Sequence, residues 1–345
     1  MNLLQLNPST FISQLIKAFS WMLIHSLWQG LLMAIITVMC LLATKKVSAA
    51  LRYNIVLVNF TILIILSAAT LVWELDTNMA YSNPGQPVQA INESTPSLVF
   101  YEISGVQHFS HSCTVYFSNN GPMLALIWFI FFVFRSVKML QDMAYLQKVR
   151  SSYIYQAPVF WQKRAGYLCK KLQLNKTVSL FESGLVKIPM VIGHLKPVIL
   201  IPAGLLTGLP AAQIEAILLH ELAHIRRHDY AVNILQVIME SVFFFNPGLL
   251  WLSALLRDER ENCCDDIALT QTKNKKDFVQ ALISFKEHAL ENTQLSVAFP
   301  GRKNQLAKRV TRILGHQSPA MAPVEKRSFI ACVLILCAFI ATALL

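Results

Sequence analysis

Two histidines four residues apart, His220 and His224, are the side chains whose types and spacing most clearly predict chemistry. On an α-helix this separation brings both imidazoles to one face, one turn apart, where they can bind a single zinc ion. Glu221 lies beside them, where it can accept a proton from zinc-bound water. The segment from Glu215 to Tyr230 is therefore predicted to contain a zinc-binding helix, and Pro210 just before it suits a helix start. A solvated helix end is the alternative explanation of the pair.

A third zinc ligand is predicted in the acidic segment downstream. Glu261 and Asp265 are four residues apart on a predicted helix from Leu249 to Leu269. A carboxylate from Glu261 would complete a His₂Glu site and leave the fourth position for water or substrate. Asp265, one turn further on, could accept the spare N–H of a zinc-binding histidine. Asp258 and Glu259 are alternative ligands, but neither has an aspartate one turn later.

The segment between these helices must bring Glu261 back to the histidines. Residues 230–245 carry polar side chains at helical spacing and are predicted to form an amphipathic helix, packed on the domain or lying at the bilayer surface. A turn at 246–248 would then reverse the chain. Cys263 and Cys264 diverge by about 100° on a helix, so they are predicted to be small buried side chains rather than joint metal ligands.

A β-hairpin is predicted just before the zinc-binding helix. Residues 178–181, 190–192 and 198–201 have the composition of short strands. The hairpin from Ile188 to Ile201 could present an edge strand to which an extended peptide substrate adds through main-chain hydrogen bonds. The candidate substrate-binding residues on that strand are Met190, Val191 and Ile192. A packing role without substrate contact is an equal alternative.

The composition indicates a membrane protein, since 54% of the residues are hydrophobic and only 14% are charged. The chain contains several continuous apolar segments that are long enough to cross about 30 Å of hydrocarbon as helices. The N-terminal membrane region is predicted at 1–137, with spans near 20–43, 53–73 and 117–137 and a turn-rich outer loop at 74–116. A zinc peptidase domain is predicted at 138–327, and a last span at 328–345. The predicted fold is an α-helical membrane protein with about four transmembrane helices and a mainly α, α+β peptidase domain.

The distribution of basic residues predicts the orientation in the membrane. Lys45, Lys46 and Arg52 lie between the first two predicted spans, whereas residues 74–123 contain neither lysine nor arginine. The positive-inside rule then places the N-terminus outside and the zinc domain in the cytoplasm. The net charge of +11 accordingly indicates a surface facing anionic lipid, with no direct nucleic-acid partner.

These features together predict a zinc hydrolase domain that is held by a small set of membrane helices and faces the cytoplasm. Glu221 would act as the general base, and a zinc ion would supply a nucleophile at neutral pH. A donor for the tetrahedral oxyanion is also required, and His194, His228 and Tyr230 are candidates, with core or surface roles as alternatives. Two other classes stay open: a membrane zinc protease of the quality-control or CAAX type, and a non-enzymatic receptor with a structural zinc site.

The blocks HELAHIRRHDY and ERENCCDD, together with IGHLKPVILIP and LIHSLWQG, resemble the BlaR/MecR-type membrane metallopeptidases. The resemblance extends from the first predicted span to the last. It implies a gluzincin domain inserted before the last transmembrane helix of a multi-pass protein of the bacterial cytoplasmic membrane. By this resemblance the zinc ligands are His220, His224 and Glu261, the catalytic residue is Glu221, and Asp265 supports a zinc-binding histidine.

The resemblance also implies signal transduction by self-cleavage, by cleavage of a cytoplasmic repressor-like protein, or by both. The expected partners are the lipid bilayer and a protein substrate, and a second copy of the chain is a further candidate. Self-cleavage is expected between Glu291 and Arg312, which is predicted to be a loose connection to the membrane. The antibiotic sensors carry a penicillin-binding domain after the last span. The sequence stops at Leu345 and holds no such domain, so it does not support β-lactam sensing. Either the chain is part of a longer protein, or the signal is expected to enter through the outer loop, a short tail or a partner.

Overall fold

The computed structural model describes residues 8–44, 47–81, 105–193, 196–272, 274–291 and 300–315, and within them the chain is mostly helical. The helices are α1 (Pro8–Ala43), α2 (Ala49–Tyr81), α3 (Gly105–Ser151), α4 (Val159–Lys171), α5 (Leu205–Gly208), α6 (Ala211–Arg227), α7 (Asp229–Val242), α8 (Pro247–Gln271), α9 (Lys275–Glu291) and α10 (Pro300–Ile313). The strands are β1 (Ile154–Gln156), β2 (Ser179–Ser183), β3 (Met190–Ile192) and β4 (Val198–Pro202).

Helices α1, α2 and α3 are each long and apolar enough to cross a membrane. Their candidate spans, Phe11–Ala43, Ala49–Thr77 and Asn120–Ser151, overlap the three predicted in the same part of the chain. The predicted outer loop is partly helical, because α2 continues to Tyr81 and α3 already begins at Gly105. The predicted fourth span, 328–345, lies outside the described residues.

Helix α8 begins in close contact with the membrane helix α1. A Cβ atom on Gly248 would collide with the backbone of Gly30, so the two glycines allow the helices to touch. Asn246 caps α8 by accepting a hydrogen bond from the backbone N–H of Leu249 at 3.0 Å, and its amide donates to the carbonyl of Ser26 at 2.7 Å. The helix that carries Glu261 is therefore anchored on α1.

The four strands form one sheet in the order β1-β2-β4-β3. β2 runs parallel to β4, while β1 and β3 pair antiparallel with their neighbours. The antiparallel pairing of Met190 with Leu200 and of Ile192 with Val198 confirms the predicted hairpin. β3 lies at an edge of the sheet, next to α6. β1 has no counterpart among the predicted strands.

The helix that carries His220 and His224 ends before the segment from Glu215 to Tyr230 does. His228 adopts a left-handed conformation, with φ 59° and ψ 33°, and its backbone N–H donates to the carbonyl of Ile225 at 3.2 Å. Helix α6 therefore ends at Arg227, His228 forms the break, and α7 begins at Asp229. The chain direction changes there, which helical periodicity alone does not indicate.

Helix α7 packs its polar face on α8, in agreement with one of the two predicted positions for this helix. The amide of Gln236 donates to the carbonyl of Ser253 at 2.9 Å, and both residues are buried. Arg257 forms an ion pair with Glu240 at 2.6 Å. Because these polar groups are paired with α8, the face of α7 that bears them is an internal one.

The prediction of a loose connection between Glu291 and Arg312 is wrong for its second half. Residues 300–313 form helix α10, whose Ile313 is buried in the same core as α4, α6 and α9. Arg309 and Arg312 form ion pairs with acidic residues of α8. Burial and ion pairing together explain why this part of the segment is ordered. Residues 292–299 lie outside the described part of the chain.

Candidate metal centre

Helices α6 and α8 pack together and bring His220, His224 and Glu261 to one point. Nε2 of His220 lies 3.4 Å from Oε2 of Glu261, and Nε2 of His224 lies 3.8 Å from Oε1 of the same carboxylate. The potential ligand atoms of the three residues lie within 4.8 Å of one another. Zinc bonds of about 2.0–2.1 Å in a tetrahedron place ligand atoms about 3.3 Å apart, so the set fits a zinc ion with little adjustment.

The alternative ligands Asp258 and Glu259 belong to neither group of potential metal ligands found among the described residues. Glu259 instead pairs with Arg52 of α2, at 2.7 Å, and accepts a hydrogen bond from Asn262 at 3.2 Å. Its buried carboxylate is thus directed toward the membrane helices. Glu261 occupies the position next to the histidines.

Asp265 lies where the sequence predicted it, next to a histidine of the candidate centre. Its Oδ1 is 3.2 Å from Nδ1 of His220, on the side of the ring opposite to the Glu261 contact. Asp265 is fully buried. Arg309 of α10 donates to both of its oxygens, at 2.9 and 2.6 Å. The paired guanidinium explains how a carboxylate is accommodated without exposure to water.

The charges of the site favour ionised carboxylates. Burial on its own would lower the pKa of His220, but Asp265 and Glu261 outweigh it and raise that pKa to about 9. Burial would raise the pKa of Glu261, but the hydrogen bond from His220 and the charges of His224 and Arg309 hold it below the ordinary value. A proton and a divalent cation therefore compete for Nε2 of His220.

His224 has an aspartate of its own, which the sequence did not reveal. Oδ2 of Asp229 lies 2.9 Å from Nδ1 of His224. Oδ1 of Asp229 lies 3.4 Å from Nε of Arg227, whose guanidinium stacks over the ring of Tyr53 of α2 at 4.3 Å. Asp229 follows the break at His228, so helical spacing from His224 gave no signal for it. Both histidines thus have a buried aspartate behind the ring.

A second group of potential ligands, His224, Asp229 and Cys264, also lies within 4.8 Å. Sγ of Cys264 is 3.3 Å from Nδ1 of His224 and donates to Oδ2 of Asp229 at 3.4 Å. Burial raises the pKa of Cys264 well above the ordinary value, and Asp229 and Glu261 act in the same direction. Because a thiolate is the form that binds metals, the protonated thiol makes this second group the weaker candidate.

Apart from His194, the remaining predicted residues belong to β3, to α6, α7 and α8, and to the break between α6 and α7. Glu221 is half-buried on α6, directly after His220. Met190, Val191 and Ile192 form the edge strand β3. Of the oxyanion candidates, His228 is exposed at the break between α6 and α7 and Tyr230 is half-buried in α7, while His194 lies outside the described residues. Cys263 and Cys264 are both buried, as predicted.

The fold and the site define a class, a helical membrane protein with a candidate metal centre of two histidines and a glutamate. The sequence profile described as BlaR1 peptidase M56 matches residues 21–313, so the chain belongs to that family of membrane metallopeptidases. The resemblance found in the sequence motifs is thereby confirmed.

Two curated relatives illustrate the similarity. The chain is 28% identical over 155 residues to the methicillin resistance mecR1 protein of Staphylococcus aureus, covering 43% of this chain and 25% of that protein. It is 26% identical over 181 residues to the regulatory protein BlaR1 of Bacillus licheniformis, covering 51% of this chain and 30% of that protein. The match thus spans less than a third of either relative.

Proposed function

We propose that the chain is a zinc-dependent endopeptidase of the bacterial cytoplasmic membrane. The observation that carries this proposal is the convergence of His220, His224 and Glu261, with Glu221 directly after His220 on the same helix. Two imidazoles and one carboxylate are the donor set of zinc peptidases that keep a fourth position for water or substrate. The supporting aspartates, Asp265 and Asp229, are typical of histidines that bind a metal.

Each residue has a defined part in the proposed reaction. A bound zinc ion would lower the pKa of water and polarise the scissile carbonyl. Glu221 would accept a proton from the attacking water and later donate it to the leaving amine. Asp265 and Asp229 would hold the rings of His220 and His224 in the tautomer that leaves Nε2 free for the cation.

The substrate is proposed to be a polypeptide bound in extended form. Strand β3 lies at the edge of the sheet next to α6, so Met190, Val191 and Ile192 are in a position to pair with a substrate strand. Family membership favours the chain itself, a cytoplasmic regulator, or both as the protein that is cut. Either substrate would make the cleavage a step in signal transduction.

The membrane topology belongs to the same proposal. The N-terminus would lie outside, the peptidase domain at 138–327 would be a gluzincin in the cytoplasm, and residues 328–345 would form a fourth span. The three candidate spans of α1, α2 and α3 support the membrane region at 1–137. The basic residues of 138–327 support the orientation.

The contacts of Cys264 argue against a purely structural zinc site. A structural site would need a fourth protein ligand, and cysteine is the commonest one. Cys264 approaches His224 at Nδ1, whereas Glu261 approaches both histidines at Nε2. The thiol therefore does not complete the His₂Glu group. A catalytic site with an exchangeable position fits these contacts better.

The test uses the full chain in detergent or nanodiscs with one equivalent of zinc. Wild type is incubated alone and with a library of peptides from a bacterial proteome, and products are identified by mass spectrometry. We expect cleavage by wild type and a rate lower by about 10²–10⁴-fold in Glu221→Gln, which keeps all three metal-binding residues. Equal cleavage by the two proteins, or zinc-loaded wild type that cuts neither itself nor any peptide, would overturn the proposal.

A further inference from the structure

Helix α10 places one arginine between the two acidic residues of the candidate metal centre. Arg309 donates to Oδ2 of Asp265 through Nε at 2.9 Å and to Oδ1 through Nη2 at 2.6 Å. Its third nitrogen, Nη1, lies 3.3 Å from Oε2 of Glu261. The arginine side chain is only 18% exposed. A single planar group thus contacts a candidate zinc ligand and the aspartate that supports His220.

A second arginine on the same helix docks without touching the centre. Arg312 pairs with Asp266 at 2.5 Å and donates to the carbonyl of Asn262 at 3.3 Å. Asp266 is 43% exposed and belongs to neither group of potential metal ligands among the described residues. Arg309 and Arg312 therefore both attach α10 to α8, but only Arg309 reaches the metal-binding residues.

We propose that Arg309 is a positioning residue of the metal centre, supplied by α10. This inference rests on the proposed function and deepens it, because it assigns part of the centre to a helix outside the sequence motifs. The rigid fork of the guanidinium fixes the orientation of both carboxylates at once, which a flexible point charge does not. Glu261 and Asp265 lie one turn apart and carry like charges, so without the fork they would repel each other and turn away.

The charge of Arg309 and its shape have opposite effects on metal binding. A positive group near Glu261 repels a bound dication, so its loss would tighten binding through charge alone. Loss of the fork would weaken binding, because the ligand and its support would be less ordered. Arg309→Lys separates these effects, since it keeps the charge and removes the planar fork. Arg312→Lys makes the same exchange on the same helix, three residues away.

The experiment measures zinc affinity by competition with a chelator, and the visible absorption of the cobalt-substituted protein, in full-length wild type, Arg309→Lys and Arg312→Lys. We expect Arg309→Lys to bind zinc roughly tenfold more weakly and to change the cobalt spectrum, within the range typical of residues that support metal ligands. We expect Arg312→Lys to match wild type in both measurements. The cobalt spectrum reports the ligand geometry, which a general loss of stability would not change in the metal-bound protein.

The outcomes separate this inference from the proposed function. If Arg309→Lys equals wild type in affinity and in spectrum, Arg309 is not a positioning residue, although the peptidase proposal stands. If both lysine variants weaken binding equally, the effect comes from the docking of α10 and the inference fails. If wild type does not bind zinc, the proposed function fails first. A melting curve of each variant before metal addition verifies that the proteins being compared are folded.

Discussion

The two histidines of the candidate centre are supported in different ways, although each has a buried aspartate behind its ring. His220 is backed by Asp265, whose partner Arg309 belongs to helix α10. His224 is backed by Asp229, whose neighbour Arg227 lies at the end of α6. The first support is built from helices that pack on the peptidase core. The support of His224 instead contacts the membrane helix α2, because Arg227 lies over the ring of Tyr53.

The difference shows how the membrane region contacts the metal centre. Arg227 stacks on the ring of Tyr53, and the adjacent Arg52 pairs with Glu259 on the helix that carries Glu261. The end of α2 that is proposed to face the cytoplasm therefore contacts α6 and α8, the two helices that carry the metal-binding residues. The support of His224 and the docking of α8 therefore depend on α2, whereas the support of His220 depends on α10.

The largest effect is expected for Asp265→Asn. The change leaves the guanidinium of Arg309 largely buried, with Glu261 as its remaining acidic partner among the described residues, and it removes the charge behind His220. We expect zinc affinity to fall by about 10–100-fold and the free energy of unfolding to fall by about 3 kcal/mol. Chelator competition and denaturant unfolding of the purified chain measure the two quantities. An unchanged affinity would show that Asp265 does not support the ligand.

A smaller effect is expected for Asp229→Asn. Zinc affinity should fall by about tenfold, because His224 loses its charged support. Stability should fall less than in Asp265→Asn, because Arg227 keeps its contact with the ring of Tyr53. The same two measurements apply. A larger loss of stability in Asp229→Asn than in Asp265→Asn would reverse the comparison between the two supports.

These two aspartates also mark what the sequence can and cannot predict. Asp265 lies four residues after Glu261 on one helix, so the period of the helix was enough to place it. Asp229 is separated from His224 by the left-handed residue His228, and no periodicity continues across that break. Arg309 lies far along the chain, in a segment predicted to be loose. Its position depends on tertiary packing that no local pattern encodes.

The same reasoning applies to the fold. The three apolar spans, the hairpin of β3 and β4, and α8 follow from composition and period. The short strand β1 was not predicted, because three residues carry too weak a pattern. The helical ends of the outer loop were not predicted either, because their polar sequence gives no clear periodicity. The contact between Gly30 and Gly248 joins distant parts of the chain and was also unpredictable.

A coupling of a few-fold is expected between Tyr53 and the support of His224. In a double-mutant cycle, Tyr53→Leu combined with Asp229→Asn should change zinc affinity non-additively by about 0.5–1 kcal/mol, the usual strength of a cation–π contact. Tyr53→Leu combined with Asp265→Asn is the matched cycle and should be additive. Equal coupling in the two cycles would mean that α2 does not act through Arg227.

The smallest effect is expected for Cys264→Ala. The thiol is fully buried and its pKa is raised, so it should remain protonated and contribute nothing to metal binding. Zinc stoichiometry and affinity should match wild type within about twofold. If this variant lost zinc while Glu261→Gln retained it, the zinc site would instead consist of His224, Asp229 and Cys264.

X-ray absorption spectroscopy of the full chain carrying one zinc ion tests the metal assignment most directly. Coordination by His220, His224 and Glu261 predicts nitrogen and oxygen neighbours at about 2.0–2.2 Å, with imidazole scattering from two rings that falls to that of one ring in His220→Ala. A sulfur neighbour at about 2.3 Å in the wild-type spectrum would contradict the account, because it would place the ion on the cysteine side of His224.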